Sequence, residues 1–276
     1  MLLQNKIDFA VIFVAKNANP NGDPLGGNRP RTTSDGLGEV SDVCLKRKIR
    51  NRLQSMGGEI FVQSDESNTD GKKSLSDRFN SFLSAIPKDE QKNKDIVAAK
   101  ACEKWIDVRS FGQVFAFKKG DAIDEVSIGV RGPVTIQSAF SIEPVTIESI
   151  QITKSVNSET TKDGKKSSDT MGLKHRVNKA VYVAYGSISP QLAEKTGFGI
   201  EDAEKIKKAL VTLFEGDESS ARPSGSMNVQ KIVWYKHETK TGQYSSAKVH
   251  DSIRVDKEGI VNILSLDGLI PEIIEG

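Results

Sequence analysis

Near the start of the chain, a buried strand, a glycine- and proline-rich loop and a cationic helix follow one another, and this order constrains the fold most. The apolar run at residues 6–15 predicts a strand that is buried on both faces. Between residues 16 and 36, 13 of 21 residues are Gly, Pro, Asn or Asp, and Leu25 is the one large apolar residue. Loops of this length are uncommon without a functional reason. The sequence therefore predicts a binding loop after the first strand.

Both the loop and the helix after it carry fixed positive charge. In the loop, Arg29 and Arg31 stand among glycines, which let backbone N–H groups approach a ligand closely. Ser41 or Asp42 is expected to cap the helix, and Gly57 is expected to end it. Within seven residues the helix carries five cations, which are Lys46, Arg47, Lys48, Arg50 and Arg52. This arrangement is typical of a surface that binds a phosphate backbone.

The helix is also amphipathic. At about 100° per residue, Leu45, Ile49, Leu53 and Met56 fall within an arc of about 80°, which predicts the face that packs on a sheet. The cations could still form an ordinary solvated face, as charge runs usually do. No acid lies at residues 43–58 to pair with them inside the helix, which favours an external anion.

The rest of the chain adds a helical insertion and a protruding hairpin. Residues 59–106 predict the insertion, and the polar, net cationic residues 150–180 predict the hairpin, with a turn at residues 162–165. Residues 107–117 predict a turn that enters a strand, and residues 126–136 predict a further strand. In that strand Pro133 indicates an edge or a bulge.

The order of the predicted elements is β-α-β-β-α-β with insertions. A helix at residues 201–215 and a strand at residues 229–234 complete it, while residues 247–264 carry weaker strand signals. This α+β order is that of the ferredoxin-like fold, which RNA-recognition domains share. We therefore expect one elaborated domain over residues 1–276.

Composition limits the classes of function. The net charge is only +2, so a role in nucleic-acid binding must come from local patches. No apolar run approaches the ~20 residues that a membrane span needs, and no signal peptide is recognisable, so we expect a cytoplasmic protein. The two cysteines, Cys44 and Cys102, fall in predicted helices without partners at metal-ligand spacing.

The sequence shows no pattern of a catalytic site. The three histidines, His175, His237 and His250, do not stand at metal-ligand spacing, and no phosphate-binding fingerprint or nucleophile elbow is present. Asp23 and Asp35 lie in the first loop and could serve a nuclease, but turn formation explains both more simply. We therefore predict a binding module with no catalytic residue, no metal and no cofactor.

Several segments resemble one known family. Residues 19–24 (NPNGDP), 28–31 (NRPR) and 41–50 (SDVCLKRKIR) are similar to the backbone subunit of type I-C CRISPR Cascade, the Csd-two type of the Cas-seven family. Four further segments agree with that family in the expected order, at residues 107–112, 130–134, 169–177 and 192–198. Together the matching segments span most of the chain.

The resemblance implies a non-catalytic subunit with an RNA-recognition-like palm. Such a subunit binds CRISPR guide RNA without sequence preference and polymerises along it with neighbouring copies and other Cascade subunits, so that the guide can pair with target DNA. A β-hairpin thumb reaches over the RNA of the next subunit, and residues 154–169 are its candidate here. One alternative is a subunit of an RNA-targeting CRISPR complex, in which a loop aspartate cleaves target RNA. Another is an assembly protein whose basic helix contacts an acidic partner.

The resemblance also implies an RNA-binding set, which is Asn19, Asn21, Arg29, Arg31, Lys46, Arg47, Arg50, Arg109, Arg131, Met171, Lys174, His175 and Arg222. The chain departs from the family after Val177, where it lacks the usual Pro-Tyr-Gly turn, and at Pro223, where a glycine is usual. We expect that reversing the charges of Lys46 and Arg50 removes RNA and leaves the fold intact.

Overall fold

The computed structural model describes residues 1–116, 127–153 and 171–276. Strands and helices are numbered in chain order. The strands are β1 Ile7–Ala18, β2 Gly22–Asp23, β3 Arg29–Pro30, β4 Leu37–Val40, β5 Gly112–Phe115, β6 Ile128–Arg131, β7 Val134–Ile136, β8 Ala139–Pro144, β9 Ile147–Thr153, β10 Met171–Ile188, β11 Met227–Lys236, β12 Ile253–Val255, β13 Val261–Ile263 and β14 Glu272–Glu275. The helices are α1 Asp42–Ser55, α2 Leu75–Ser84, α3 Lys94–Lys104, α4 Ile106–Phe111, α5 Pro190–Thr196, α6 Ile200–Val211 and α7 Ser246–Asp251.

A large antiparallel sheet organises these elements. Its strand order is β14-β11-β1-β10-β8-β4, so β1 lies near the centre with β10 on one side and β11 on the other. The 18-residue β10 pairs along one edge with β1, from Ile188 opposite Ile7 to Val177 opposite Ala18. Along its other edge β10 pairs in succession with β7, β8 and β9. One strand therefore joins the centre of the sheet to the β9–β10 hairpin.

Both faces of the sheet are covered, which explains the continuous apolar run of β1. On one face, the apolar stripes of α1 and α6 pack on Phe9, Val11 and Phe13. On the other face, the segment that contains α7 and β12 packs on Ala10 and Ile12. Successive side chains of a strand point to opposite faces, so each face receives its own core. The prediction that the first strand is buried on both faces is confirmed.

The segment between α1 and β7 contains a second, smaller core. Four large aromatic side chains meet there in ring contacts, and these are Phe61, Phe79, Trp105 and Phe115. α2 and α3 lie in the segment that the sequence predicts as helical. Beside this aromatic core, Arg78 donates two hydrogen bonds to the carboxylate of Asp70. This core gives the segment its own apolar anchor beside the main sheet.

Two local predictions differ from the structure. Residues 106–111 form α4 rather than a turn, because Ile106 and Val108 are both buried against the surrounding cores. Residues 126–136 are not one strand: β6 ends at Arg131 and pairs with β5, and β7 joins the large sheet. The break falls at Gly132–Pro133, where a side chain at Gly132 would lie within 2.3 Å of the carbonyl of Ser110.

A buried polar joint holds the C-terminal segment to the sheet. The Asp8 carboxylate of β1 is fully buried and accepts hydrogen bonds from His237 Nε2 at 2.8 Å and Lys6 Nζ at 2.9 Å. His250 of α7 stacks on Tyr185 and donates to the carbonyl of Gly186 at 3.1 Å. Burial lowers the pKa of His250 below its ordinary value, against the opposing effects of that hydrogen bond and of Asp8. His250 therefore favours its neutral form in the folded protein.

We predict that the free energy of unfolding decreases as the pH falls. Because the pKa of His250 is lowered in the folded state, the unfolded chain binds more protons, and the stability is present above about pH 6.5 and lost below it. Urea denaturation at about pH 7.5 and about pH 5.5 measures the difference. His250→Gln should reduce this pH dependence, whereas the control His175→Gln, at a half-exposed site, should leave it unchanged. Equal pH dependence in all three proteins would contradict the prediction.

Candidate nucleic-acid interface

The loop after β1 is an ordered turn whose asparagines are engaged internally. Asn19 is 3% exposed, and its Nδ2 donates to the carbonyl of Asn28 at 2.7 Å. Asn21 Oδ1 accepts hydrogen bonds from the backbone N–H of Ser41 at 3.0 Å and from its hydroxyl at 2.9 Å. Ser41 is the residue that caps α1. The two asparagines therefore shape the loop and join it to the start of the helix.

Asp23 performs a turn-forming role. Its Oδ1 accepts a hydrogen bond from the backbone N–H of Leu25 at 3.2 Å and lies 3.3 Å from Arg31 Nη2. An added Cβ at Gly22 would lie 1.9 Å from Asn28 Oδ1, so a larger residue there would displace the Asn28 side chain. The other loop aspartate of the nuclease alternative, Asp35, is exposed in a separate turn. Within the described residues no group of three or more His, Cys, Asp or Glu side chains is placed to hold a metal ion.

Arg29 links the loop to the β9–β10 hairpin. The Arg29 side chain is exposed, and its Nη1 donates to Ser149 Oγ at 3.1 Å. Ser149 Oγ lies in turn 2.9 Å from His175 Nδ1. Two of the predicted RNA-binding residues, 146 positions apart in sequence, are thus brought together through one serine hydroxyl. The guanidinium of Arg29 keeps further N–H donors for an anion.

The cations of α1 are mostly paired, contrary to the interpretation that they lack acidic partners. Lys46 pairs with Asp42 at 3.0 Å on the same helix. The partners of the others come from distant segments: Asp217 for Lys48, Asp107 for Arg50 and Glu215 for Arg52. Arg47 is exposed and has no ion pair among the described residues. The sequence shows no acid near Lys48, Arg50 and Arg52, because the fold brings their acidic partners from distant segments.

Arg50 braces the helix against the neighbouring segment. Its Nε lies 3.2 Å from Oδ2 of Asp107, which is 1% exposed, and its guanidinium lies over the ring of Phe111. The Asp107 carboxylate also accepts the backbone N–H groups of Phe61 at 2.8 Å and Val62 at 3.0 Å. A glutamate at position 50 would face this carboxylate. This pair argues against the expectation that Arg50 can be reversed while the fold stays intact, because the buried Asp107 carboxylate would lose its cation.

Lys48 is a buried lysine that the sequence analysis placed at the flank of the helix. It is 4% exposed and pairs with Asp217, which also accepts a hydrogen bond from Arg222 Nε at 2.7 Å. Burial lowers the pKa of Lys48, although the Asp217 carboxylate opposes this effect. Its position three residues after Leu45, on the edge of the apolar stripe, was the available signal. By contrast Met56, predicted on that stripe, is 37% exposed.

Arg109 also has a structural partner. Its Nε and Nη2 bind the two carboxylate oxygens of Asp202 at 3.0 and 2.8 Å, and its Nη1 donates to the carbonyl of Cys102. This bidentate pair ties α4 to α6. Arg131, at the end of β6, is exposed and makes no ion pair with a described residue. The sequence analysis places both arginines in the RNA-binding set, but in the structure Arg109 is bound to a carboxylate and Arg131 is not.

The base of the predicted thumb is described, but most of the thumb itself is not. Residues 154–169, predicted as the thumb, lie outside the described residues. The strands on either side of them pair from Thr153 opposite Met171 to Ile147 opposite Val177. Met171 is 62% exposed, Lys174 is partly exposed, and His175 faces Ser149. Met171 and His175 therefore share one face of the hairpin, and Lys174 lies on the other.

Arg47 opens onto a groove beside the helix. Val43, Arg47 and Arg50 line it on the α1 side, and residues 62–65 line it on the other, with a cavity volume of about 410 Å³. The Arg47 guanidinium, which has no ion pair among the described residues, suits a phosphate, because arginine binds phosphate oxygens through two N–H groups at once. Among the helices in residues 1–116, 127–153 and 171–276, none is long and apolar enough to cross a membrane.

The structure is thus a mixed α/β fold around a large antiparallel sheet, with exposed arginines on the loop after β1 and on α1. Comparison with known proteins identifies its family, because the family model described as CRISPR-associated protein Cas7 matches residues 5–267. The chain belongs to the CRISPR-associated protein Cas7 family. It is similar to the Cas7 protein of Haloferax volcanii, with 22% identity over 287 residues that cover 100% of this chain and 82% of that protein.

A solved structure supports the same fold. A chain of a CRISPR RNA-guided surveillance complex, pre-nicking, superposes with a TM-score of 0.53 at 16% identity, covering 83% of this chain and 78% of that chain. At this identity the likeness extends to the fold, a mixed α/β structure around a large antiparallel sheet.

We predict that Arg50→Glu destabilises the protein by about 3 kcal/mol, because it leaves the buried Asp107 carboxylate next to a second negative charge. Arg47→Glu changes an exposed residue that has no ion pair among the described residues, so it should change the free energy of unfolding by less than about 0.5 kcal/mol. Urea denaturation followed by circular dichroism measures both. A stability of Arg50→Glu equal to that of the unmodified protein would refute the bracing role.

Proposed function

We propose that this protein is a non-catalytic backbone subunit that binds CRISPR guide RNA and polymerises along it in a Cascade-type surveillance complex. The observation that carries the proposal is the family match over residues 5–267. The cations that the fold leaves without an acidic partner support it, above all Arg47 on α1 and Arg29 on the loop. Target DNA would be recognised through the guide, not by the protein itself.

We further propose that the sheet is an RNA-recognition-like palm. The order β11-β1-β10-β8 with α1 and α6 on one face is that of a split β-α-β fold, in which the first and third strands are central. The opposite face is covered by the C-terminal segment rather than free for base stacking. RNA would therefore be held at the loop and helix rather than on an open aromatic sheet.

The type I-C, Csd-two assignment is a finer proposal. Residues 19–24 and 41–50 support it, because they form the longest stretches similar to that type. The thumb at residues 154–169 belongs to the same proposal, supported by the paired strands β9 and β10 on either side of it. The departures at Pro223 and after Val177 affect the loop beside Arg222 and the return strand of the hairpin.

The contacts divide the predicted RNA-binding residues into two groups. Arg29, Arg47, Arg131, Lys174 and His175 are proposed to touch the RNA backbone, since no described carboxylate neutralises them. Met171 offers an exposed apolar side chain at the hairpin base. Phosphate contacts of this kind position an RNA without reading its sequence, so the base edges stay free for pairing.

The second group holds the site in shape. Arg50, Arg109 and Arg222 are each bound to a carboxylate of the fold, and Asn19 and Asn21 are bound to the loop backbone and to Ser41. Lys46 and Arg31 are intermediate, because their partners Asp42 and Asp23 are themselves 41% and 36% exposed. Pairs of that kind are weak in water, and a phosphate can replace the carboxylate.

The proposed function predicts that the protein purified with a repeat-spacer transcript carries RNA, seen in its ultraviolet absorbance. Arg47→Glu should lose RNA and should make the slope of log affinity against log salt shallower by about 0.7, the value for one phosphate contact on a single strand. The matched control is Arg254→Glu, an exposed arginine on β12 with the same change of charge. A protein that stays free of RNA under co-expression would refute the function, and equal losses in both variants would refute the site.

The RNA-targeting alternative makes a separate prediction about Asp23. If Asp23 only orders its turn, the RNA-loaded assembly should leave a complementary target RNA intact in the presence of Mg²⁺, and Asp23→Asn should change nothing in that assay. Gel electrophoresis of a labelled target gives the answer. Metal-dependent cleavage that disappears in Asp23→Asn, but not in Asp35→Asn, would overturn the non-catalytic proposal.

A further inference from the structure

One serine hydroxyl joins the loop after β1 to the β9–β10 hairpin. Ser149 Oγ lies 3.1 Å from Arg29 Nη1 and 2.9 Å from His175 Nδ1. Arg29 belongs to β3, whereas Ser149 and His175 lie directly opposite each other on β9 and β10. Arg29 and Ser149 are exposed, and His175 is half-buried. Polar side chains from three strands therefore meet at one point on the surface.

The fold sets the backbone of Arg29 independently of this contact. The residue before it, Asn28, donates its N–H to the carbonyl of Asp23 at 2.7 Å, and its carbonyl accepts a hydrogen bond from Asn19 Nδ2 at 2.7 Å. Arg29 itself is paired with Asp23 across β2 and β3, and β3 lies beside β10. The Arg29 side chain therefore reaches Ser149 from an ordered turn whose position relative to β10 is set by the backbone.

The direction of the hydrogen bonds follows from the chemistry of arginine. A guanidinium can only donate, so Ser149 Oγ accepts from Arg29 and keeps its own hydrogen to donate. When His175 Nδ1 accepts that hydrogen bond, the neutral ring carries its hydrogen on Nε2. The chain of three side chains then ends in donors on both sides, which are the remaining N–H groups of Arg29 and the Nε2–H of His175.

The charge at this point is positive. Arg29 has no ion pair among the described residues, and its cross-strand neighbour Asp23 is engaged by Arg31. Glu148 lies on the other face of the hairpin, where it binds Arg176. Donors beside an uncompensated cation suit a phosphodiester, which offers acceptor oxygens and one negative charge.

The contacts of Ser149 affect side-chain freedom more than stability. They lie at the surface, where water competes for the same groups, so their net contribution to the free energy of unfolding is small. An arginine loses rotational freedom when it binds a ligand, and one that is already held in place loses less. Ser149 therefore prepares Arg29 and His175 for a ligand.

We propose that Ser149 is a positioning residue for RNA, whose hydroxyl holds Arg29 and His175 so that both donate to the same phosphate. The proposal rests on the proposed function, because guide RNA supplies that phosphate. The loop and the hairpin then bind one phosphate together, so RNA fixes the base of the hairpin relative to the loop. Neither side chain reads a base, which keeps the contact independent of the guide sequence.

The affinity for a short RNA that holds one subunit tests this role, and fluorescence anisotropy measures it. Ser149→Ala should weaken binding by about fivefold, because Arg29 and His175 lose their common partner. Ser149→Thr should restore the affinity of the unmodified protein, since threonine keeps the hydroxyl and is favoured in strands. The midpoint of urea denaturation should be the same in all three proteins.

The matched control is Ser187→Ala, at the other end of β10. The Ser187 hydroxyl also contacts a side chain of a neighbouring strand, Thr135 Oγ1 at 2.9 Å, and its loss should leave RNA affinity unchanged. Equal losses in Ser149→Ala and Ser187→Ala, or no rescue by Ser149→Thr, would overturn the positioning role. Full affinity in Ser149→Ala would overturn that role alone, whereas an unmodified protein that binds no RNA would overturn the proposed function as well.

A double-mutant cycle tests whether Arg29 and His175 hold the same phosphate. Arg29→Gln and His175→Gln are made singly and together, once with Ser149 present and once with Ser149→Ala. With Ser149 present, the combined loss of affinity should be clearly smaller than the product of the single losses, because either change disrupts the shared contact. With Ser149→Ala the losses should multiply. Losses that multiply in both backgrounds would mean that the two residues bind RNA separately and would overturn the proposal.

Discussion

The rest of the structure depends on the pairing of the basic helix α1 with carboxylates from distant segments. Asp107 receives Arg50, and Asp217 receives both Lys48 and Arg222. Each of these acids also orders backbone or loop around it, as Asp107 does for the N–H groups of Phe61 and Val62. Removing one partner of such a pair leaves a buried charge uncompensated, which strongly destabilises the folded protein. The helix is thereby fixed in one position between the sheet and the smaller core.

This pairing determines which cations remain without an acidic partner. If all five cations of the helix were unpaired, their mutual repulsion would destabilise the folded protein. Instead the buried acids neutralise the inward cations, and Arg47 is left pointing outward without a described ion pair. The same division appears on the loop, where Asp23 engages Arg31 and Arg29 is held by a neutral serine. A small net charge and a local anion-binding surface are therefore compatible in one chain.

The sequence was sufficient for features that depend on local pattern. The strand β1, the Ser41 cap and the buried stripe of Leu45, Ile49 and Leu53 all follow from periodicity and capping rules. The sequence was insufficient where partners are far apart. Arg50 and Asp107 are separated by 57 positions, and nothing in either local pattern reveals the other. The same holds for the serine that joins Arg29 to His175, so the division between unpaired cations and cations held by carboxylates required the fold.

The length of β10 has a mechanical consequence. Its 18 residues begin at the base of the hairpin and end in the centre of the sheet, without a hinge between the two regions. A force applied to the hairpin base is therefore carried along continuous hydrogen-bonded strands into the core, where Tyr182 stacks on Phe13. In a filament of such subunits, this continuous strand would fix the distance between the large sheet and the end of its hairpin. The pitch of the filament would then be a property of the protein and would not vary with the sequence of the guide.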